Sequence, residues 1–209
     1  MSSAGRCSLI GVGKLIYGFN VSVDGYIADA NGSIDWSEPS DELHQYWNDY
    51  ERGTALSFYG RRLYELMSAY WPTADQAPDA TPTIVDYARV WRDMPKVVFS
   101  RTLESVDWNS RLERGNPVDV VRQLKAETDG RLEVAGATLA APIVQAGLVD
   151  EYRIVLAPLP WVAGSRSSPP CRRGSRCDWS RIVRSRAGWS CCATRPSETD
   201  QACDLSAAA

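Results

Sequence analysis

Apolar and polar positions alternate through KLIYGFNVSV (14–23), and its β-branched and aromatic residues predict a strand. The strand ends at Asp24-Gly25, a turn pair. ADANGSIDW (28–36), with its Asn-Gly and small residues, reads as a loop. In PSDELHQYWNDYER (39–52), Leu43, Tyr46, Trp47 and Tyr50 recur at helical spacing behind Ser40 as N-cap. TALSFYG (54–60) predicts a short strand, RRLYELMSAY (61–70) a helix stopped by Trp71-Pro72, and PTIVDYARVWRD (82–93) another helix. KVVFS (96–100) reads as a buried strand. NPVDVVRQLKAET (116–128) reads as a helix with Asn116 as cap and Pro117 in its first position. RLEVAG (131–136), ATLAAPIVQAG (137–147) and EYRIVLAPL (151–159) then give strand, helix and strand. Strands separated by helices of this length need crossover connections, so the expected fold class is α/β with a largely parallel sheet.

Composition divides the chain near residue 160. Residues 1–160 carry 3 Lys and 12 Arg against 22 acidic residues, a net of -7, while residues 161–209 carry 8 Arg and no Lys against 4 acids, a net of +4. An acidic main body lacks the basic footprint of a nucleic-acid binder. No stretch approaches the roughly 18 apolar residues of a membrane span, and MSSAGRCSLIGVG has no secretory pattern. A cytoplasmic protein is the expectation, without membrane or nucleic-acid partners. Cys7 stands alone in the front, and Cys171, Cys177, Cys191, Cys192 and Cys203 crowd the tail. Cys171-x5-Cys177 is not a zinc spacing and the single histidine, His44, is remote in sequence, so no metal site is expected.

In a parallel sheet, ligands bind where strand ends meet helix N-termini. Three such junctions carry suitable residues. Gly60 permits close backbone approach, and Arg61 and Arg62 open a helix whose free N–H groups favour an anion, though the same residues also read as a solvated basic turn. Ser100 and Arg101 follow a strand and can hold a phosphate by hydroxyl and guanidinium; a Ser cap beside a surface Arg is the plainer reading. Gly136, Ala137 and Thr138 form a third strand-to-helix turn, without a G-x-G-x-x-G fingerprint. Together they suggest a ligand with several phosphates, such as a nicotinamide dinucleotide. Asp24, Asp29 and Asp35 supply candidate proton donors or substrate anchors, and Trp36 can wall a pocket for a flat ring.

YGFNVSVDGYIAD (17–29), FYGRRLYELMSAYWP (58–72), KVVFSRTL (96–103) and LEVAGATLAAPIVQAGLVDEYRIVLAP (132–158) together resemble the dihydrofolate reductase superfamily. The resemblance is closer to the branch containing the C-terminal reductase domain of the bifunctional riboflavin-biosynthesis deaminase–reductase. It implies a mostly parallel sheet of about eight strands with flanking helices, NADPH lying across it, a small-molecule substrate, and it allows a homodimer. It assigns Gly60, Arg61, Arg62, Ser100, Arg101, Gly136, Ala137 and Thr138 to the cofactor, Asp24 and Asp35 to catalysis, and Trp36 to the substrate. The expected activity resembles 5-amino-6-(5-phosphoribosylamino)uracil reductase. One departure is Ala135 before Gly136, where the family has a glycine-led small pair.

The tail does not continue the resemblance. Its relatives have a Gly-Gly-Gly loop and a closing hairpin; this chain has WVAGSRSSPPCRRGSRCDWS. Regrouping codons by one base restores some of what is missing: Trp161–Val162 must then encode Gly, and both Asp178–Trp179 and Cys191–Cys192 must encode Leu. Residues 160–209 are therefore expected to be an out-of-frame tail, residues 14–159 the reductase-like domain stripped of its closing strands, and residues 1–13 a leader with an alternative start at Val12. The rival functional expectation is a non-catalytic remnant with weak nucleotide binding or none.

Overall fold

The computed structural model describes residues 13–22, 25–29, 33–34, 39–157, 164–166, 177–184 and 190–196. The chain runs β1 (Lys14–Ser22), β2 (Tyr26–Asp29), α1 (Asp41–Glu51), β3 (Thr54–Gly60) and α2 (Arg61–Tyr70). A 3-10 segment at Trp71–Gln76 leads to α3 (Pro82–Asp93), β4 (Lys96–Phe99), β5 (Ser110–Glu113), α4 (Pro117–Glu127), β6 (Arg131–Ala135) and α5 (Ala137–Gln145). β7 (Glu151–Ala157), β8 (Gly164–Arg166), β9 (Cys177–Arg184) and β10 (Ser190–Pro196) complete it. Helix starts are set by side chains that satisfy otherwise orphaned N–H groups. Ser40 accepts from Leu43 N at 3.3 Å, Thr81 from Ile84 N at 3.3 Å, and Asn116 from Val118 N at 2.9 Å. Pro72 stops α2 as the sequence implies, yet it also sits in the first turn of the 3-10 segment, where its missing N–H costs nothing.

One sheet organises the molecule, in the order β5-β4-β3-β6-β1-β7-β10-β9. The six strands from β5 to β7 are mutually parallel, while β10 is antiparallel to both β7 and β9. β2 and β8 form a separate antiparallel pair. Strand periodicity divides the core between the two faces. Leu15, Tyr17, Phe58, Val97, Leu132 and Val134 pack with Val121 of α4 and Leu139 and Ile143 of α5. Tyr59 and Val98 point the other way, toward Tyr64 of α2 and Tyr87, Val90 and Trp91 of α3. Both faces are covered, which is why Val97, Val98 and Phe99 of β4 are consecutive apolar residues.

The closing strands expected to be lost are present. Ser190 to Thr194 pair with Leu156 to Tyr152 of β7, and β9 pairs outside β10. Trp179, Ile182 and Val183 are residue types that strands favour, and pairing satisfies the edge of β7. The 28–36 loop also needs correction, because Tyr26–Asp29 form β2 against Gly164–Arg166. β5 was not anticipated. It is an edge strand of sequence SRLE with no fully buried position, so it carries no apolar signal.

Candidate active site

β4, β3 and β6 are parallel neighbours, so their carboxyl ends open side by side. Gly60 lies opposite Phe99, and Tyr59 opposite Ala135. The three predicted junctions, at Gly60, Ser100 and Gly136, are thereby brought to one edge. β1 is the next strand beyond β6 and parallel to it, so Ser22 ends β1 toward the same edge.

Two helices begin there without a side-chain cap. Gly60 caps α2 in extended backbone (φ -81°, ψ 158°), and a Cβ added to it would stand 3.6 Å from Leu139 Cβ of α5. Gly136 caps α5 at φ 88°, ψ 128°, where an added Cβ would stand 3.5 Å from Leu63 Cδ2 of α2. Each glycine thus packs under the first turn of the other helix. Two uncapped N-termini converge, and their free N–H groups and dipoles give the edge a positive potential.

The arginines divide by task. Arg61 is engaged: its Nη1 donates to Thr102 Oγ1 at 2.8 Å, and its Nε lies 3.7 Å from Glu65 Oε2. Arg62 and Arg101 are exposed and have no ion-pair partner among the described residues. Ser100 is nearly buried. Its N–H donates to Glu113 O at 3.1 Å, and its hydroxyl oxygen accepts from Thr102 N (3.2 Å) and Leu103 N (3.0 Å). That hydroxyl shapes its own loop. Ala137 is half-buried and Thr138 exposed on the first turn of α5. Thr102 and Arg114 were missed in the sequence. Arg114 donates to Arg101 O at 3.0 Å and Leu103 O at 2.7 Å. The only sequence signal for it was its place directly after an edge strand that itself gave none.

Asp24, Asp35 and Trp36 lie outside the described residues. Nearby, Gly25 N donates to Ser22 O at 2.9 Å, Tyr26 N donates to Ser22 Oγ at 2.9 Å, and Gly25 has φ 90°, which favours glycine.

Strongly perturbed carboxyls lie elsewhere, between the sheet and the α1–α3 layer. Burial raises Glu51 to about 7, against the opposing help of the Tyr87 hydroxyl, which donates to it at 2.6 Å, and of Lys96 and Arg131. Burial, then the charge of Glu51, raises Glu133 on β6 well above the carboxylate range. A cleft of about 430 Å³ lined by Lys14, Ile16, Gly130, Arg131, Glu151 and Arg153 opens at the opposite, amino end of β1, β6 and β7. Lys14 and Arg153 are both paired to Glu151 there, and Arg131 donates to the Tyr50 carbonyl. Among the described residues there is no cluster of ligands for a metal ion, and no helix long and apolar enough to cross a membrane.

The carboxyl edge fits a dinucleotide. Two glycines leave space against uncapped helix starts, and the exposed Arg62, Arg101 and Thr138 follow the ends of β3, β4 and β6 with no side-chain hydrogen bond among the described residues.

Comparison with known proteins agrees with this architecture. The chain is 27% identical over 147 residues to the uncharacterised protein YyaP of Bacillus subtilis, covering 70% of this chain and 75% of that one. A protein of Shewanella sp. PV-4 named for riboflavin biosynthesis superposes with a TM-score of 0.65 at 17% identity, covering 88% and 99% of the two chains. The dihydrofolate reductase of Enterococcus faecalis, solved with NADP(H), superposes with a TM-score of 0.63 at 9% identity over 90% and 98%. The Thermotoga maritima deaminase/5-amino-6-(5-phosphoribosylamino)uracil reductase gives 0.63 at 13% identity, with 88% of this chain matching 57% of that one. At these identities the superpositions speak for the fold alone, which is dihydrofolate-reductase-like. The family model for the RibD C-terminal domain matches residues 13–175, most of the chain including all six parallel strands, and the protein belongs to that family.

Proposed function

We propose that this protein is an NADPH-dependent reductase that delivers a hydride to a carbonyl or imine carbon of a small molecule, of the type acted on by riboflavin-pathway reductases. The observation that carries the reading is the meeting, at one sheet edge, of two glycine-capped helix N-termini without a side-chain cap and two arginines that have no ion-pair partner among the described residues. Bound NADPH supplies the hydride; the chain supplies position and electrostatics. The N–H groups at the starts of α2 and α5 hold phosphate oxygens, with Thr138 beside them. Arg62 and Arg101 supply positive charge for a further phosphate, which favours NADPH over NADH. Arg61 is a strut to Thr102. Asp24 and Asp35 are proposed to hold or move the proton that carbonyl reduction needs, and Trp36 to exclude water beside a flat substrate. Asp24 follows β1, the strand next to β6, in the sequence.

Fluorescence titration of the purified chain with NADPH and NADH tests the reading. NADPH is expected to bind at least tenfold more tightly, and Arg62→Ala and Arg101→Ala to shrink that ratio. A domain that binds neither nucleotide is the rival reading; the composition of residues 160–209 favours it. Resequencing codons 155–165 separates the two, because an intact frame removes the reason to regard the chain as a remnant.

A further inference from the structure

Arg101 can read a phosphate only if the loop that carries it keeps its shape, and neither Arg101 nor Ser100 fixes that loop from outside. Arg114 does. Its guanidinium forks onto two carbonyls of the loop, Nη1 to Arg101 O at 3.0 Å and Nη2 to Leu103 O at 2.7 Å. It stands directly after β5, whose Glu113 O also receives the Ser100 N–H at 3.1 Å. The Glu113 carboxylate turns back onto the backbone N–H groups of Arg114 (3.1 Å) and Gly115 (3.2 Å), so the base of the fork is tied down as well. From the other side, Arg61 of α2 reaches Thr102 Oγ1 at 2.8 Å. Residues 100–103 are therefore clamped between two guanidiniums.

The clamp has an electrostatic consequence. Carbonyl oxygens left facing the site would repel an anion, and the fork of Arg114 draws those of Arg101 and Leu103 to itself. Lysine cannot substitute, because a single ammonium lacks the planar pair of donors that spans two carbonyls. We propose that Arg114 is a specificity-determining positioning residue: by bracing residues 100–103 it presents Arg101 to the additional phosphate that distinguishes NADPH from NADH. The proposal rests on the nucleotide reading above.

The test compares the unaltered chain with Arg101→Ala, Arg114→Ala and Arg114→Lys, measuring NADPH and NADH affinity by fluorescence and the rate of tryptic cleavage after Arg101. Arg114→Ala is expected to cut the NADPH:NADH preference about tenfold while NADH affinity stays put, and to speed cleavage after Arg101 about tenfold. Arg114→Lys is expected to behave like Arg114→Ala; rescue by lysine would show that charge rather than the fork acts, and would overturn the proposal. So would a preference that collapses in Arg101→Ala but is untouched in Arg114→Ala. If the unaltered chain binds neither nucleotide, the nucleotide reading fails and the specificity role fails with it; faster cleavage in Arg114→Ala would then still register the brace, which tells the two failures apart.

Discussion

Gly136→Ala separates backbone strain from ligand space. At φ 88°, ψ 128° an alanine must hold a conformation that L residues rarely adopt, at a cost of about 1–3 kcal/mol. The side chain itself has room, since its nearest contacts would be Leu63 Cδ2 at 3.5 Å and Leu63 Cβ at 3.8 Å, ordinary van der Waals distances. The expected loss of stability is thus all backbone, about 2 kcal/mol. For a chain of this size that lowers the melting temperature by roughly 4–8 °C. Gly60→Ala is the matched control. Its φ of -81° suits any residue and its added Cβ would meet Leu139 Cβ at 3.6 Å, so it should keep stability to within about 0.5 kcal/mol. Both variants narrow the space above the helix starts, so both should weaken NADPH binding. Calorimetric melts and fluorescence titrations of the pair read the two effects separately. A Gly136→Ala chain that melts like the parent would refute the strained turn, and a Gly60→Ala chain with undiminished NADPH affinity would refute close approach at that glycine.

Gly18→Ala should destabilise by about 1–3 kcal/mol in urea titration, because its Cβ would press within 3.1 Å of Glu133 Oε1 and 3.4 Å of the Trp47 ring; no change would mean the α1 layer yields easily. Glu51 holds its proton to about pH 7 when folded against about 4.5 when unfolded, so its contribution is complete below pH 4.5 and is lost as pH rises to 7. Relative to Glu51→Gln, the parent should lose roughly 2–3 kcal/mol across that window, and parallel pH profiles would contradict the buried neutral carboxyl. Retranslating the codons from Pro160 in the alternative frame should raise the melting temperature if residues 160–209 are out of frame; equal or lower stability would count against the frameshift.

Much of the fold was legible because local signals and tertiary demands agree. Ser40 and Asn116-Pro117 mark helix starts by the chemistry that caps them, and the strand positions of Val97, Val98, Phe58 and Tyr59 follow from the need to cover both faces of a parallel sheet. β5 was hidden because an edge strand needs no apolar face, and β9 and β10 because the pairing of β10 with β7 and of β9 with β10 supplies what the Arg-rich tail composition does not advertise. The glycines after strands, Gly60 and Gly136, fall at the one edge that the sheet topology assembles. Sequence could not show that Arg61 is engaged by Thr102 while Arg62 and Arg101 are not, since that division depends on side-chain reach across 41 residues. Arg114 was invisible for the same reason.

The central claim is that the joined ends of β3, β4 and β6 form an NADPH site. Titrating the purified chain with NADPH and NADH under identical salt tests it most directly. Both nucleotides should bind saturably, with NADPH favoured at least tenfold and that preference reduced in Arg62→Ala and Arg101→Ala. Equal affinity for the two nucleotides, or binding of neither, would contradict it.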